Sequence, residues 1–134
     1  CGPTMARPEP GAVLERVRTF TQDDYDAFAA LTGDDNPIHV DPEYSAATTF
    51  GRTVAHGMFL YSCLCGLLAE LCPGAVQVGQ DLMFPAPTYA GEPMTLRAEV
   101  TEAAGAELTV AVEVRDPDGT LTCRGESRLR MEAG

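Results

Sequence analysis

Six residues in the first third of the chain, Asp34-Asp35-Asn36-Pro37-Ile38-His39, place a carboxylate and an imidazole close together on one short turn. Pro37 locks its own φ and pushes Asn36 towards an extended conformation, so the chain leaves this turn in a defined direction. Seventeen residues beyond His39, His56-Gly57-Met58 opens a long apolar stretch that reads as a helix. The free N–H groups of such a helix start, with the favourable dipole, can hold a developing negative charge. An acid/base pair beside an anion-holding helix start is most of what a water-adding enzyme needs.

The elements that must position these groups are legible on either side of them. Residues 12–20 have strand character with imperfect alternation. Thr21-Gln22-Asp23-Asp24 then forms a capping box, with Thr21 as N-cap and Asp24 reaching back, and the helix carries Tyr25, Phe28 and Ala29 on one face before Gly33 stops it. Asp41-Pro42-Glu43 starts a second short helix running to about Thr49, before Gly51. Residues 32–55 thus fold locally without a core stripe of their own, as an excursion laid over something else. From Gly57 to Leu71 the chain is apolar nearly all round, which predicts a centrally buried helix, ended by Cys72-Pro73-Gly74. Thereafter the period is two, giving strands at about 75–84, 93–102, 107–115 and 120–131, with Asp116-Pro117-Asp118-Gly119 closing a tight hairpin. One strand, then helices, then four antiparallel strands predicts a single α+β domain in which a curved sheet wraps the long helix. Such a sheet has an open edge, so a two-fold dimer that extends it is expected.

Composition narrows the partners. The chain has 134 residues, room for one domain and one core, and a formal charge of −11 from 20 acidic residues against nine arginines, with no lysine. Nucleic-acid binding, which rests on clustered positive charge, is not expected. The apolar stretch from Val54 to Leu71 is interrupted by His56, Ser62, Gly66 and Glu70, so neither a membrane span nor a signal peptide is read. Five cysteines, at 1, 63, 65, 72 and 123, make no paired framework, and a reducing cytoplasm is the economical reading. Cys63 and Cys65 point in different directions on a helix and only two histidines are present, so no metal site and no cofactor are expected. Cys1-Gly2-Pro3-Thr4 precedes Met5 and reads as a remnant outside a domain of residues 5–134.

Three segments together, Tyr25–Leu31, Asp34–Asp41 and Phe50–Met58, with weaker continuation through Gly79–Phe84 and Gly91-Glu92, resemble the MaoC-like hydratases of the hotdog fold, the (R)-specific enoyl-CoA hydratases. The resemblance covers nearly the whole domain. It implies that Asp34 and His39 are the catalytic pair, carried on an overhang of about residues 32–55 above a substrate tunnel, with the site at a dimer interface. It further implies addition of water to a trans-2-enoyl thioester to give the (R)-3-hydroxyacyl thioester, or the reverse dehydration, with an acyl-CoA as partner. The enolate oxygen would then sit on the backbone N–H of Gly57, which has no side chain to hold the thioester away.

Other residues have competing readings. Without the motif Asp34 is a turn residue after Gly33; with it, the spacing to His39 selects Asp34 over the adjacent Asp35. Asn36 is a turn former, and His56 is scaffold at a helix start before it is a second base. Arg52 pairs with an acid in the overhang or meets a ligand phosphate. Met58, Ser62, Cys65 and Phe84 are candidates to line or support the substrate site. The resemblance puts a serine facing the catalytic pair where this chain has Cys65, a weaker donor, so that Ser62 serves instead or the water is held less firmly. Pro85 follows Phe84 where a basic residue is frequent. Alternative functions are a dehydratase of carrier-protein-bound acyl groups, a non-catalytic acyl-binding module, and a thioesterase, for which the long helix offers only Glu70.

Overall fold

A computed structural model of the chain describes residues 7–132; the remnant reading of residues 1–4 falls outside that range. The order of elements is β1 (Val13–Thr19), α1 (Gln22–Thr32), α2 (Pro37–Val40), α3 (Pro42–Ala46), α4 (Gly57–Leu71), β2 (Val76–Gln80), β3 (Pro93–Ala104), β4 (Glu107–Arg115) and β5 (Leu121–Arg130). The five strands form one antiparallel sheet in the order β1-β3-β4-β5-β2. This is the hotdog arrangement, with α4 lying against the inner face of the curved sheet. No helix among the described residues is long and apolar enough to cross a membrane.

Local chemistry sets the boundaries. At the start of α1 the Thr21 hydroxyl accepts from the Asp24 N–H at 3.2 Å while the Asp24 carboxylate accepts from the Thr21 N–H at 2.9 Å, a reciprocal cap. Gly33 ends the helix at φ 80°, a left-handed conformation that turns the chain straight into Asp34. The β4–β5 hairpin is closed by Asp116, whose carboxylate accepts from the N–H groups of Asp118 and Thr120, both at 2.9 Å. Along β4, Leu108, Val110, Val112 and Val114 alternate into the core as the period of two requires. They meet Leu60, Leu64, Leu67 and Leu68 of α4 together with Leu96, Ala98 and Val100 of β3.

Three expectations need correction. First, α4 is not enclosed on every side: Met58, Ser62, Gly66, Ala69 and Glu70 form an exposed stripe. The sheet covers one side of the helix, and the stripe reads as apolar because small residues fill most of it. Second, α3 ends at Ala46 instead of near Thr49, the chain passing into turns in which Thr48 N–H bonds to Ser45 and Gly51 N–H to Thr48. Third, β2 stops at Gln80, after a bulge between Gln77 and Gly79, and the following residues stay on β5 without a continuous ladder, through the Asp81 N–H on the Glu126 carbonyl and a bridge between Met83 and Arg124.

Candidate active site

Residues 33–55 fold back over the start of α4 and are tied down at several points. Asn36 caps α2, its side chain accepting from the Ile38 N–H at 3.2 Å, with Pro37 in the first turn. Asp41 caps α3 through the N–H groups of Glu43 and Tyr44. Ser45 is fully buried and donates to the carbonyl of Ile38 at 3.2 Å, fastening α3 to α2. The Val54 N–H closes the excursion on the same carbonyl at 3.0 Å. Gln22, from α1, donates to the His39 carbonyl at 2.9 Å and accepts from the Thr53 hydroxyl, clamping both ends of the excursion to α1.

His39 therefore sits in a short helical turn with its backbone held on both sides. Its Nδ1 lies 2.8 Å from the Val54 carbonyl. A carbonyl can only accept, so Nδ1 carries the proton and Nε2 keeps the lone pair. Asp34 is exposed at its side chain but fixed at its backbone: its N–H donates to the Thr32 hydroxyl at 3.2 Å and its carbonyl accepts from His56 Nε2 at 2.8 Å. The functional atoms of Asp34, His39 and His56 all lie within 4.8 Å of one another.

His56 is the keystone of this arrangement. Its ring stacks on that of His39 with centroids 4.0 Å apart and planes 25° apart, and the Phe28 ring meets it edge-on at 4.8 Å. Carboxylate and imidazoles are in type able to hold a divalent ion. His56 Nε2, however, donates to the Asp34 carbonyl at 2.8 Å and offers no lone pair from that nitrogen. Burial, reinforced by the neighbouring His39, lowers the His56 pKa from 6.5, outweighing the hydrogen bond to the Asp34 carbonyl. The folded protein thus binds this proton less readily than the unfolded chain. The stability contributed by neutral His56 is full above about pH 6.5 and is lost as pH falls from there towards the folded pKa. The His56 imidazole resonances should titrate at a pH below 6.5; a midpoint at or above that value would contradict its buried, neutral role.

Gly57 opens α4, and its N–H finds no acceptor among the described residues, leaving it free to meet an external oxygen. A Cβ added there would fall 2.7 Å from Cζ of Phe84, so the missing side chain lets the Phe84 ring lie close over the helix start. Beside Gly57 lies a hollow of about 330 Å³ whose walls include Phe50, Leu60, Phe84 and Pro87. The structure therefore gathers Asp34, His39, His56, Gly57 and Phe84 at the start of α4.

The remaining candidates stand apart from this group. Arg52 pairs with Glu92 at 2.6 Å and lies over the Tyr89 ring at 3.9 Å, a structural pairing as in one of its two readings, but with an acid just before β3 instead of one in the overhang. Met58 is exposed, and the Ser62 hydroxyl donates back to the Met58 carbonyl at 2.8 Å within α4. Cys65 Sγ lies 3.7 Å from Gln77 Oε1 of β2, so within one chain its polar neighbour is β2. Two contributors are missed by sequence reasoning. Gln22 reads only as part of a cap, and its reach to His39 is a long-range contact with no local signal. The grip of His56 on a backbone carbonyl likewise leaves no trace in residue type.

Comparison with known proteins gives the family and the fold. Residues 5–119 match the model of the MaoC-like domain. The chain is 34% identical over 127 residues to an (R)-specific enoyl-CoA hydratase of Aeromonas caviae, covering 92% of this chain and 95% of that protein. The structure of the (R)-hydratase from Aeromonas caviae involved in PHA biosynthesis superposes with a TM-score of 0.89 at 33% identity, over 92% of this chain and 97% of that one. A mitochondrial 3-hydroxyacyl-[acyl-carrier-protein] dehydratase of Arabidopsis thaliana is 38% identical over 82 residues, which is 61% of this chain and 49% of that protein. The chain belongs to the MaoC-like family. It is a hotdog enzyme of the hydratase/dehydratase class.

Proposed function

We propose that the protein adds water to trans-2-enoyl thioesters of coenzyme A, giving (R)-3-hydroxyacyl thioesters, and runs the reverse dehydration on the same site. The observation that carries this reading is the placement of the Asp34 and His39 groups within 4.8 Å of each other, next to the free N–H of Gly57. One water making hydrogen bonds of about 2.8 Å spans such a separation. With Nδ1–H spent on Val54, His39 presents a basic Nε2, and Asp34 offers an ionised carboxylate as the second acceptor for the same water. As one of the pair takes a proton, the water oxygen bonds to the β-carbon and the double-bond electrons move onto the thioester oxygen. The Gly57 N–H, at the positive end of α4, holds that charge. The proton returns from the pair to the α-carbon on the same face, which fixes the stereochemistry.

A dimer built on β2 fits this reading. Both sheet edges are open, but β1 carries Glu15, Arg16 and Arg18, charges that discourage pairing, whereas β2 reads Val-Gln-Val-Gly-Gln without a charge. Val76 and Val78 of β2 are 62% and 57% exposed, and Met58, Met83 and Phe84 add further exposed apolar surface. Joining two β2 edges covers this surface and brings a second subunit towards the exposed stripe of α4. Cys63, Cys65, Cys72 and Cys123 are free thiols, in keeping with a reducing cytoplasm.

Purified protein should remove the enoyl absorbance of crotonyl-CoA and yield the (R)-3-hydroxy product. No change at high enzyme concentration overturns the reading, and release of free thiol instead makes the protein a thioesterase. Rates on one acyl chain presented by coenzyme A and by a carrier protein then identify the carrier.

A further inference from the structure

Coenzyme A brings phosphates to a chain that already has a formal charge of −11 and no lysine, so any positive contact must come from one of nine arginines. The excursion above the site does not supply it. Asp34, Asp35, Asp41 and Glu43 are exposed there, and its one arginine, Arg52, is paired with Glu92. Arg16, Arg97, Arg115, Arg128 and Arg130 are likewise held by carboxylates. Of the remaining three, Arg7 donates to the Gly105 and Met131 carbonyls, while Arg18 on β1 and Arg124 on β5 have no carboxylate partner among the described residues. β1 is the sheet edge farthest from β2, which leaves Arg124 as the candidate near the site.

Arg124 is exposed, and its place is fixed. Its Nη2 donates to Met83 Sδ at 3.5 Å, and its backbone exchanges two bonds with that of Met83. The next residue, Phe84, lays its ring over Gly57, where the thioester oxygen is held in the reaction proposed above. Glu113 stands opposite Arg124 in the β4–β5 register but turns its carboxylate to Arg115 at 2.6 Å, so it does not neutralise Arg124. Arg124 lines a groove of about 450 Å³ together with Arg97, Arg115, Asp81, Glu113 and Glu126. Asp81 is engaged by Arg128, and Glu126 is the acid of this wall without an arginine partner among the described residues. The groove lies on the outer face of the sheet, opposite α4, a face that a dimer joined edge to edge leaves open.

We propose that this groove is the nucleotide site of coenzyme A, with Arg124 holding a phosphate while the acyl end lies at Gly57. The inference rests on the reading of the protein as an enoyl-thioester hydratase and adds which carrier it takes and where that carrier binds. A guanidinium presents forked donors that match phosphate oxygens, and one already placed against Met83 gives up little freedom to do so. The flexible arm between thioester and nucleotide lets the two ends occupy different faces of the fold.

The test measures binding of butyryl-CoA, which has no double bond to hydrate, beside steady-state rates on two crotonyl thioesters. One is crotonyl-CoA; the other is the N-acetylcysteamine thioester, with the same reacting end and no phosphate. Arg124→Gln should weaken butyryl-CoA binding and raise KM for crotonyl-CoA about tenfold, with kcat and the rates on the N-acetylcysteamine substrate unchanged. Glu126→Gln, which removes a like charge from the wall, should tighten butyryl-CoA, and Arg18→Gln should leave it as it was. Added salt should cost the wild type more affinity than Arg124→Gln. Unchanged butyryl-CoA affinity in Arg124→Gln, or an equal loss on the N-acetylcysteamine thioester, overturns the site. An equal loss on the crotonyl thioester of phosphopantetheine moves the contact to the phosphate that a carrier-protein arm shares and overturns the nucleotide assignment. Absent turnover on every thioester, with the butyryl-CoA loss intact, instead overturns the reaction assigned above and leaves the groove standing.

Discussion

Asp34→Asn folds normally and loses about a thousandfold in kcat for enoyl-CoA hydration, in the middle of the range for removing a positioned acid/base group. The fold survives because the contacts fixing residue 34 use its backbone: the N–H on Thr32 and the carbonyl on His56. An asparagine keeps both and keeps the size of the side chain. It loses the ionised oxygen that shares the water with His39. His39→Asn is the matching variant, since an asparagine amide N–H can take over the bond that Nδ1–H makes to the Val54 carbonyl while removing the Nε2 base. Each variant should bind substrate with little change in KM, and the double variant should be scarcely slower than either single one, because the two groups act on one water. Melting curves and steady-state rates on crotonyl-CoA check this. An Asp34→Asn enzyme within tenfold of wild type would show that the carboxylate is not part of the chemistry.

Whether a feature of this fold and site is legible in the sequence depends on whether its signal is local. The Thr21/Asp24 cap, the stop at Gly33, the Asp41-Pro42 start and the alternation of β4 are each decided by neighbouring residues, and each lies where the sequence predicts. The juxtaposition of Asp34 and His39 is readable for the same reason, since five residues and one proline set the geometry. The supporting shell is not. Gln22 reaches His39 and His56 grips the Asp34 carbonyl, both through contacts made only when distant segments meet. The exposed stripe of α4 is hidden differently. Hydrophobic periodicity reports residue type, and serine, glycine and alanine in an otherwise apolar helix blur the boundary between a buried and an open face.

Gly125 shows the same long-range logic with a larger consequence for stability. It lies in β5 between Arg124 and Glu126, whose backbones hold the segment that leaves β2: Met83 and Arg124 exchange N–H to carbonyl bonds of 2.8 and 3.0 Å, and the Asp81 N–H donates to the Glu126 carbonyl at 3.2 Å. A Cβ at position 125 would overlap the Asp81 carbonyl oxygen and come within 2.9 Å of its carbon, and both are backbone atoms that no rotamer change can move aside. Gly125→Ala must therefore push residues 81–84 away from β5. The cost is about 1–3 kcal/mol, the usual range for forcing extra volume into packed structure, and it should lower the melting temperature by several degrees. Activity should fall as well, because the displaced segment carries Phe84, whose ring packs over Gly57 at the start of α4. The two effects separate on temperature. If the loss of rate came only from unfolding, cooling well below the transition would restore it; displacement of Phe84 predicts a raised KM that persists in the fully folded variant. A Gly125→Ala protein with unchanged melting temperature and KM would mean that residues 81–84 are not pinned to β5 as the backbone bonds describe.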